Sequence, residues 1–240
     1  MKNSFAKKLI ASRKKIYPDA PPDIRKESEE GGCGVTGFAC SIPVGGKHIF
    51  EPSVQMHNRG NGKGGGIAAA GLVAADLGVS QSVLDDCYLI QVALLESESR
   101  AELEKQFLLP FLDIQDGRAI PTLDDFREVE GLEIKPPDVW RYFVRVKPDI
   151  LAGFADKNSF KGVDPRKIED EYIWQNTIKL NRKFYDAQGG KKAFVLSQGR
   201  NMMILKIVGY AEQVAKYYRL DDFRAHIWIA HQRYPTKGRV

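Results

Sequence analysis

The sequence predicts an α+β fold, and three features carry that prediction. The stretch "VWRYFVRVK" (139–147) alternates apolar and polar residues with the period of two expected of a strand. From Asp164 a helix opens with a capping aspartate and a proline at its first position. Segments of both kinds follow one another along the chain with no internal repeat and no low-complexity tract. Apolar residues make up 43% of the 240, enough for one sizeable core or one core with an inserted lobe.

Taken in order, residues 1–32 read as a leader or propeptide: a short basic amphipathic piece, then a polar, proline-containing stretch. The first eighteen residues contain no acid, a feature of transit peptides, but a surface helix with a tail is the preferred reading of them. From Gly34 to Ser41 the chain reads as a buried strand, and Glu51 to Asn58 as a helix. The loop "RGNGKGGG" follows, its glycines implying a tight turn or close backbone approach, and then the small-residue strand "IAAAGLV". "DCYLIQVALL" (86–95) is strand-like, and "SRAELEKQFLLPFL" (99–112) has helical periodicity. The helix from Asp164 is expected to reach about Ala187 and to stop at Gly189 and Gly190. "AFVLSQ" (193–198) and "NMMILKIV" (201–208) predict a hairpin around Gly199-Arg200. A helix at 210–220 then leads into a buried strand, "AHIWIAHQRY" (225–234).

Several function classes are disfavoured by composition. No run of about 18 apolar residues exists, and the N-terminus lacks the apolar centre of a secretory signal, so no membrane span is expected and the cytoplasm is the default compartment. Cys33, Cys40 and Cys87 are odd in number and contain no C-x-x-C pair, and His48, His57, His226 and His231 add no ligand spacing. No structural metal is expected. Of the formal charge of +5, a net +3 sits in residues 1–32, so a basic nucleic-acid-binding surface rests mostly on the leader.

Three stretches carry chemistry: "CGVTGFA" from Cys33, "MHNRGNGKGGG" from Met56 and "AHQRYPTKG" from Ala230. In that order they resemble the class II glutamine amidotransferases, N-terminal-nucleophile hydrolases whose mature chain begins with the catalytic cysteine. The resemblance covers about 40 of the 240 residues. It implies a four-layer αββα fold, L-glutamine as substrate, no cofactor, and hydrolysis of the side-chain amide to glutamate and ammonia for a synthase partner. By the same resemblance, Arg59 and Gly60 lie beside the nucleophile, Arg233 pairs with the glutamine α-carboxylate, and Thr236 adds a hydroxyl to that anion. His57 and His231 are expected to be structural.

The chemistry explains why a cysteine would follow a disposable leader. A thiolate that attacks an amide needs a base. Cleavage between Gly32 and Cys33 would expose an α-amine of pKa about 7.7–8.0, roughly a tenth of it neutral at pH 7. With the leader attached, the same nitrogen is an amide without useful basicity.

Two departures from the family pattern are evident. Compact members bring the nucleophile and the arginine strand much closer than the 200 residues found here. Residues 80–222, roughly, therefore read as an insertion, of the kind that resembles the amidotransferase domain and separate amidotransferase-like proteins of the glutamate synthase group. The family's oxyanion-hole Asn-Gly and a later aspartate should follow the arginine strand, yet the sequence stops at Val240, so it reads as the front part of such a domain. A catalytically silent amidotransferase-like subunit serving as a binding or scaffold module is the alternative.

Overall fold

The computed structural model describes residues 2–16, 33–185 and 190–233. Eight strands build two four-stranded antiparallel sheets: β1 (Gly34–Gly45), β2 (Gly65–Leu72), β3 (Tyr88–Leu94), β4 (Leu112–Ala119), β5 (Asp138–Val146), β6 (Ala193–Gly199), β7 (Met202–Ile207) and β8 (Arg224–Gln232). The helices are α1 (Lys2–Lys14), α2 (Phe50–Val54), α3 (Ala74–Leu77), α4 (Gln81–Asp86), α5 (Ser99–Leu103), α6 (Pro148–Lys157), α7 (Pro165–Phe184) and α8 (Ala211–Tyr217). The first sheet has the order β1-β8-β2-β7 and the second β4-β5-β3-β6. This is the expected α+β class.

Strand parity divides the apolar residues between two cores. Along β3, Leu89 and Ala93 join Ile67, Ala69, Leu205 and Trp228 of the first sheet in one cluster. The intervening Tyr88, Ile90 and Val92 meet Ile173, Leu180 and Phe184 of α7 in another. Both faces of β3 are thus covered, and all seven of its residues are buried. Here lies the reason for the unbroken apolar run in the sequence. The segment read as an insertion contains all four strands of the second sheet.

Helix α7 begins as its sequence requires. The Asp164 side chain accepts a hydrogen bond from Arg166 N, and Pro165 takes the first helical position. The helix ends at Phe184, and the expected stop at Gly189 lies outside the described residues. Within residues 1–32, α1 docks against α7: Arg13 pairs with Glu171 at 2.8 Å and lies over the Trp174 ring at 4.1 Å, while the buried Ser12 accepts from Gln175.

Several local expectations are corrected. β6 and β7 do not form a hairpin, because they belong to different sheets. At the crossing, Asn201 adopts a left-handed φ of 50°, its carbonyl accepts from Gly71 N, and its side chain accepts from Leu72 N at 2.7 Å. These bonds fasten the turn to β2, so β7 pairs there and not with β6. β1 is a strand, but an edge strand with Val35 59% exposed, not a buried one. β8 is buried only on alternate residues: Trp228 and Ala230 point inward, while Ile227 and Ile229 are exposed on the other face. The helix expected at 51–58 divides into α2 and a 3₁₀ turn, His57–Arg59. That expected at 99–112 gives way after α5 to a π-helical turn and then to β4, a strand the sequence reading missed together with α6.

The start of β8 is tied to α3 by Asp76, which accepts from Arg224 N and from its guanidinium, at 2.8 and 2.6 Å. Hydrogen bonding from Arg224 holds the Asp76 carboxyl below its ordinary value. A carboxyl with a lowered folded-state pKa stabilises fully above its unfolded pKa, and that stability is lost as pH falls through the folded value. Urea unfolding midpoints measured from neutral pH into the acid range should therefore fall less steeply in Asp76→Asn than in the wild type.

Candidate active site

The sequence-predicted residues come together at one end of the first sheet. Cys33 is exposed and immediately precedes β1, whose first residue, Gly34, pairs with Gln232 of β8. The 3₁₀ turn His57–Arg59 lies against Gly34 so closely that a Cβ there would sit 2.8 Å from Arg59 Cβ and 3.0 Å from Met56 Cβ. Gly60 approaches β8 in the same way, with a Cβ meeting Gln232 Cβ at 2.8 Å. The glycine-rich loop is then stitched to the end of β8: Arg233 N donates to Gly64 O at 2.8 Å, and Asn61 N to Arg233 O at 3.4 Å. Cys33, Arg59, Gly60 and Arg233 are thereby neighbours along the backbone, whereas Thr236 lies outside the described residues.

Electrostatically this end of the sheet is cationic. Arg59 and Arg233 are both exposed, and neither forms an ion pair among the described residues. Two arginines at the sheet end that carries Cys33 suit an anionic ligand, since the planar guanidinium fork matches a carboxylate. The other two cysteines are less accessible. Cys40 is half-buried in β1, and Cys87 is buried, which pushes its thiol pKa up. Among the described residues no group of three or more His, Cys, Asp and Glu is arranged to hold a metal ion.

Beneath the loop lies a buried polar knot that the motifs did not disclose. Glu212 of α8 accepts from Ser53 Oγ at 2.8 Å and from Gln232 Nε2 at 3.2 Å, and its other oxygen is 2.8 Å from His57 Nε2. Gln232 also donates to Ser53 Oγ at 2.8 Å and accepts from Ala211 N at 3.1 Å. His57 stacks on Tyr210 with ring centroids 3.8 Å apart. His57 therefore has the structural surroundings expected of it; His231 lies on the outward face of β8, in register with Val35 and Gly66. Ser53 and Glu212 were missed because nothing in their segments sets them apart, and Gln232 because it stands at the variable position between His231 and Arg233 of its motif. The one available signal was a glutamine at an inward-facing position of a strand, which must find partners when buried.

No protein-family model matches the chain. It is 28% identical over 214 residues, 88% of its length, to a curated protein of Archaeoglobus fulgidus described as uncharacterized. The match takes in 48% of that protein, so the chain spans about half the length of this relative.

Replacing Glu212 by alanine removes the acceptor shared by Ser53, Gln232 and His57. Leaving buried donors unsatisfied costs about 1–3 kcal/mol. Glu212→Ala should lower the unfolding free energy by about that amount in urea titrations. It should also increase amide hydrogen exchange across residues 57–64, a region distant from the substitution in sequence.

Proposed function

We propose that the chain is a glutamine amidotransferase domain of the class II, N-terminal-nucleophile type, and that it supplies ammonia to a synthase partner of the glutamate synthase kind. The single observation that carries the reading is the convergence of Cys33, the Arg59-Gly60 loop and Arg233, from three separate motifs, at one end of the first sheet. The helix, sheet and sheet layers are compatible with an αββα sandwich. In this reading the fourth layer would lie on the outward face of the first sheet, where Ile227 and Ile229 are 39 and 41% exposed.

In the proposed mechanism, the α-amine of Cys33, freed by cleavage after Gly32, takes the thiol proton. The thiolate forms a C–S bond with the glutamine side-chain carbonyl. The C–N bond breaks as the amine returns the proton, and ammonia leaves a glutamyl thioester. Water then adds to the thioester, giving glutamate and restoring the thiol. Arg233 holds the substrate α-carboxylate, Thr236 supports the same anion, and Arg59 shapes the loop beside the nucleophile.

Intact mass of the natively produced protein, followed by incubation with an electrophilic glutamine analogue, tests the reading. Expected are loss of residues 1–32 and a single adduct at Cys33. An adduct at Cys40 or Cys87, or a chain that keeps its leader and takes no label, points instead to a silent scaffold subunit. Cys33→Ala should abolish glutaminase activity with the circular dichroism spectrum unchanged.

Arg233→Ala tests the carboxylate assignment. Removing a hydrogen bond to a charged group costs about 1.5–3 kcal/mol, so kcat/KM for glutamine should fall about 10- to 100-fold. Arg233→Lys should recover only part of the loss, because lysine cannot present the bidentate fork. Unchanged kinetics in Arg233→Ala would remove Arg233 from the site.

A further inference from the structure

A cavity of about 410 Å³ lies between the two sheets. Its mouth opens near Gly78, Asp222 and Phe223, at the end of the first sheet where Gly45 pairs with Arg224. Gln232, which pairs with Gly34 beside Cys33, is eight residues further along β8, roughly 25 Å at the rise of a strand. The cavity is therefore separate from the candidate active site.

Its walls divide by chemistry. Met203 and Leu205 of β7 give one side an apolar surface, while β3 and β5 present Gln91 and Arg141 from the other. Both polar side chains are more than nine-tenths buried, at 0 and 6% exposure. Each also carries an unmade hydrogen bond: Gln91 Nε2 and Arg141 Nε have no partner among the described residues. Ser197 accepts from Ile204 N and directs its own proton to Gln91 Oε1, so the amide nitrogen of Gln91 is the end left over. Among the described residues Arg141 donates to one carbonyl, Leu77 O at 2.8 Å, and to no carboxylate, although the charge of Asp116 acts on it against that of Arg118. Burial pushes its pKa down to about 10, which leaves the guanidinium charged at neutral pH.

The acids around the mouth are already engaged. Asp76 is paired with Arg224 at 2.6 Å and Asp222 with Lys47 at 3.0 Å, while Asp116 is occupied by Arg118. Arg219, exposed at the rim, has no ion pair among the described residues. A buried guanidinium with no carboxylate hydrogen-bonded to it is unfavourable, and so is a buried amide donor without an acceptor. A single anionic group reaching both nitrogens would relieve both.

We propose that this cavity is a second ligand site, taking a small carboxylic acid whose carboxylate accepts from Arg141 Nε and Gln91 Nε2 and whose apolar body lies against Met203 and Leu205. Gln91 and Arg141 face each other in register on β3 and β5, so two donors from one wall match the two oxygens of a carboxylate, and the apolar Met203 and Leu205 opposite give no donors for the further oxygens of a phosphate. The site does not depend on Cys33 chemistry.

The test is titration of the full chain with hexanoate, hexanamide and inorganic phosphate, at ionic strength held constant with chloride. It is read by calorimetry and by the NMR signal of the Arg141 Nε–H. Hexanoate should bind saturably and move that signal. Hexanamide should bind about 10- to 100-fold more weakly, the loss expected when a hydrogen bond to a charged group becomes neutral. Arg141→Met, which replaces the buried charge by an apolar side chain, should abolish the preference for hexanoate over hexanamide. Gln91→Met should weaken hexanoate and leave part of the preference. The proposal is overturned if hexanoate does not saturate, if it binds no better than hexanamide, if phosphate alone moves the Arg141 signal, or if folded Arg141→Met keeps the preference. Should Arg141→Met fail to fold, the wild-type comparison of acid and amide decides alone.

Discussion

The side chain of Gln232 holds together three elements that sequence alone keeps far apart. It sits on β8, donates to Ser53 of α2 and Glu212 of α8, and accepts from the backbone at the start of α8. In water these groups would exchange partners freely. Buried, they must satisfy one another, and the arrangement that does so fixes where α2 stops and where the turn that follows it lies. That turn carries His57 and Arg59 to Gly34, and Gly34 carries Cys33. The position of the exposed thiol thus follows from a buried amide.

Around this knot the two sheets share the work of burial unequally. The second sheet is covered on both sides, by the first sheet within and by α7 without, which is why β3 is so continuously apolar. The first sheet buries Trp228, Ala230, Ile67 and Ala69 inward and leaves isoleucines on its other face. Between the sheets the packing is interrupted where Gln91 and Arg141 replace the apolar residues their strand positions would ordinarily hold. Among the described residues no helix is long and apolar enough to cross a membrane.

Much of the fold was legible because its signals are local. The aspartate and proline that open α7, the alternation of β5 and the small residues of β2 each act within a few neighbours. What failed was long-range. Gly199-Arg200 resembles a hairpin turn, but Asn201 bonds to Gly71 and Leu72, some 130 residues earlier, and sends the chain into the other sheet. β4 went unread because it runs through Asp113, Asp116, Gly117 and Arg118 and lies at an edge, where polar residues carry no penalty. In α6, Gly153 interrupts a short amphipathic pattern. The site shows the same division: Cys33, Arg59, Gly60 and Arg233 lie in recognisable motifs, whereas Ser53 and Glu212 acquire meaning only through Gln232.

The placement of β8 between β1 and β2 has a consequence for the order of events during synthesis. The strands of the second sheet have all emerged once residue 199 leaves the ribosome, and that sheet can close while translation continues. The first sheet cannot, for its central seam is missing until residue 232 is available, and β1 has no other neighbour among the described residues. The N-terminal edge of the molecule therefore waits for the nascent chain to return to it. Through that delay Cys33 remains an ordinary cysteine in a segment without its sheet, and the architecture itself times the assembly of its surroundings to the emergence of residue 232.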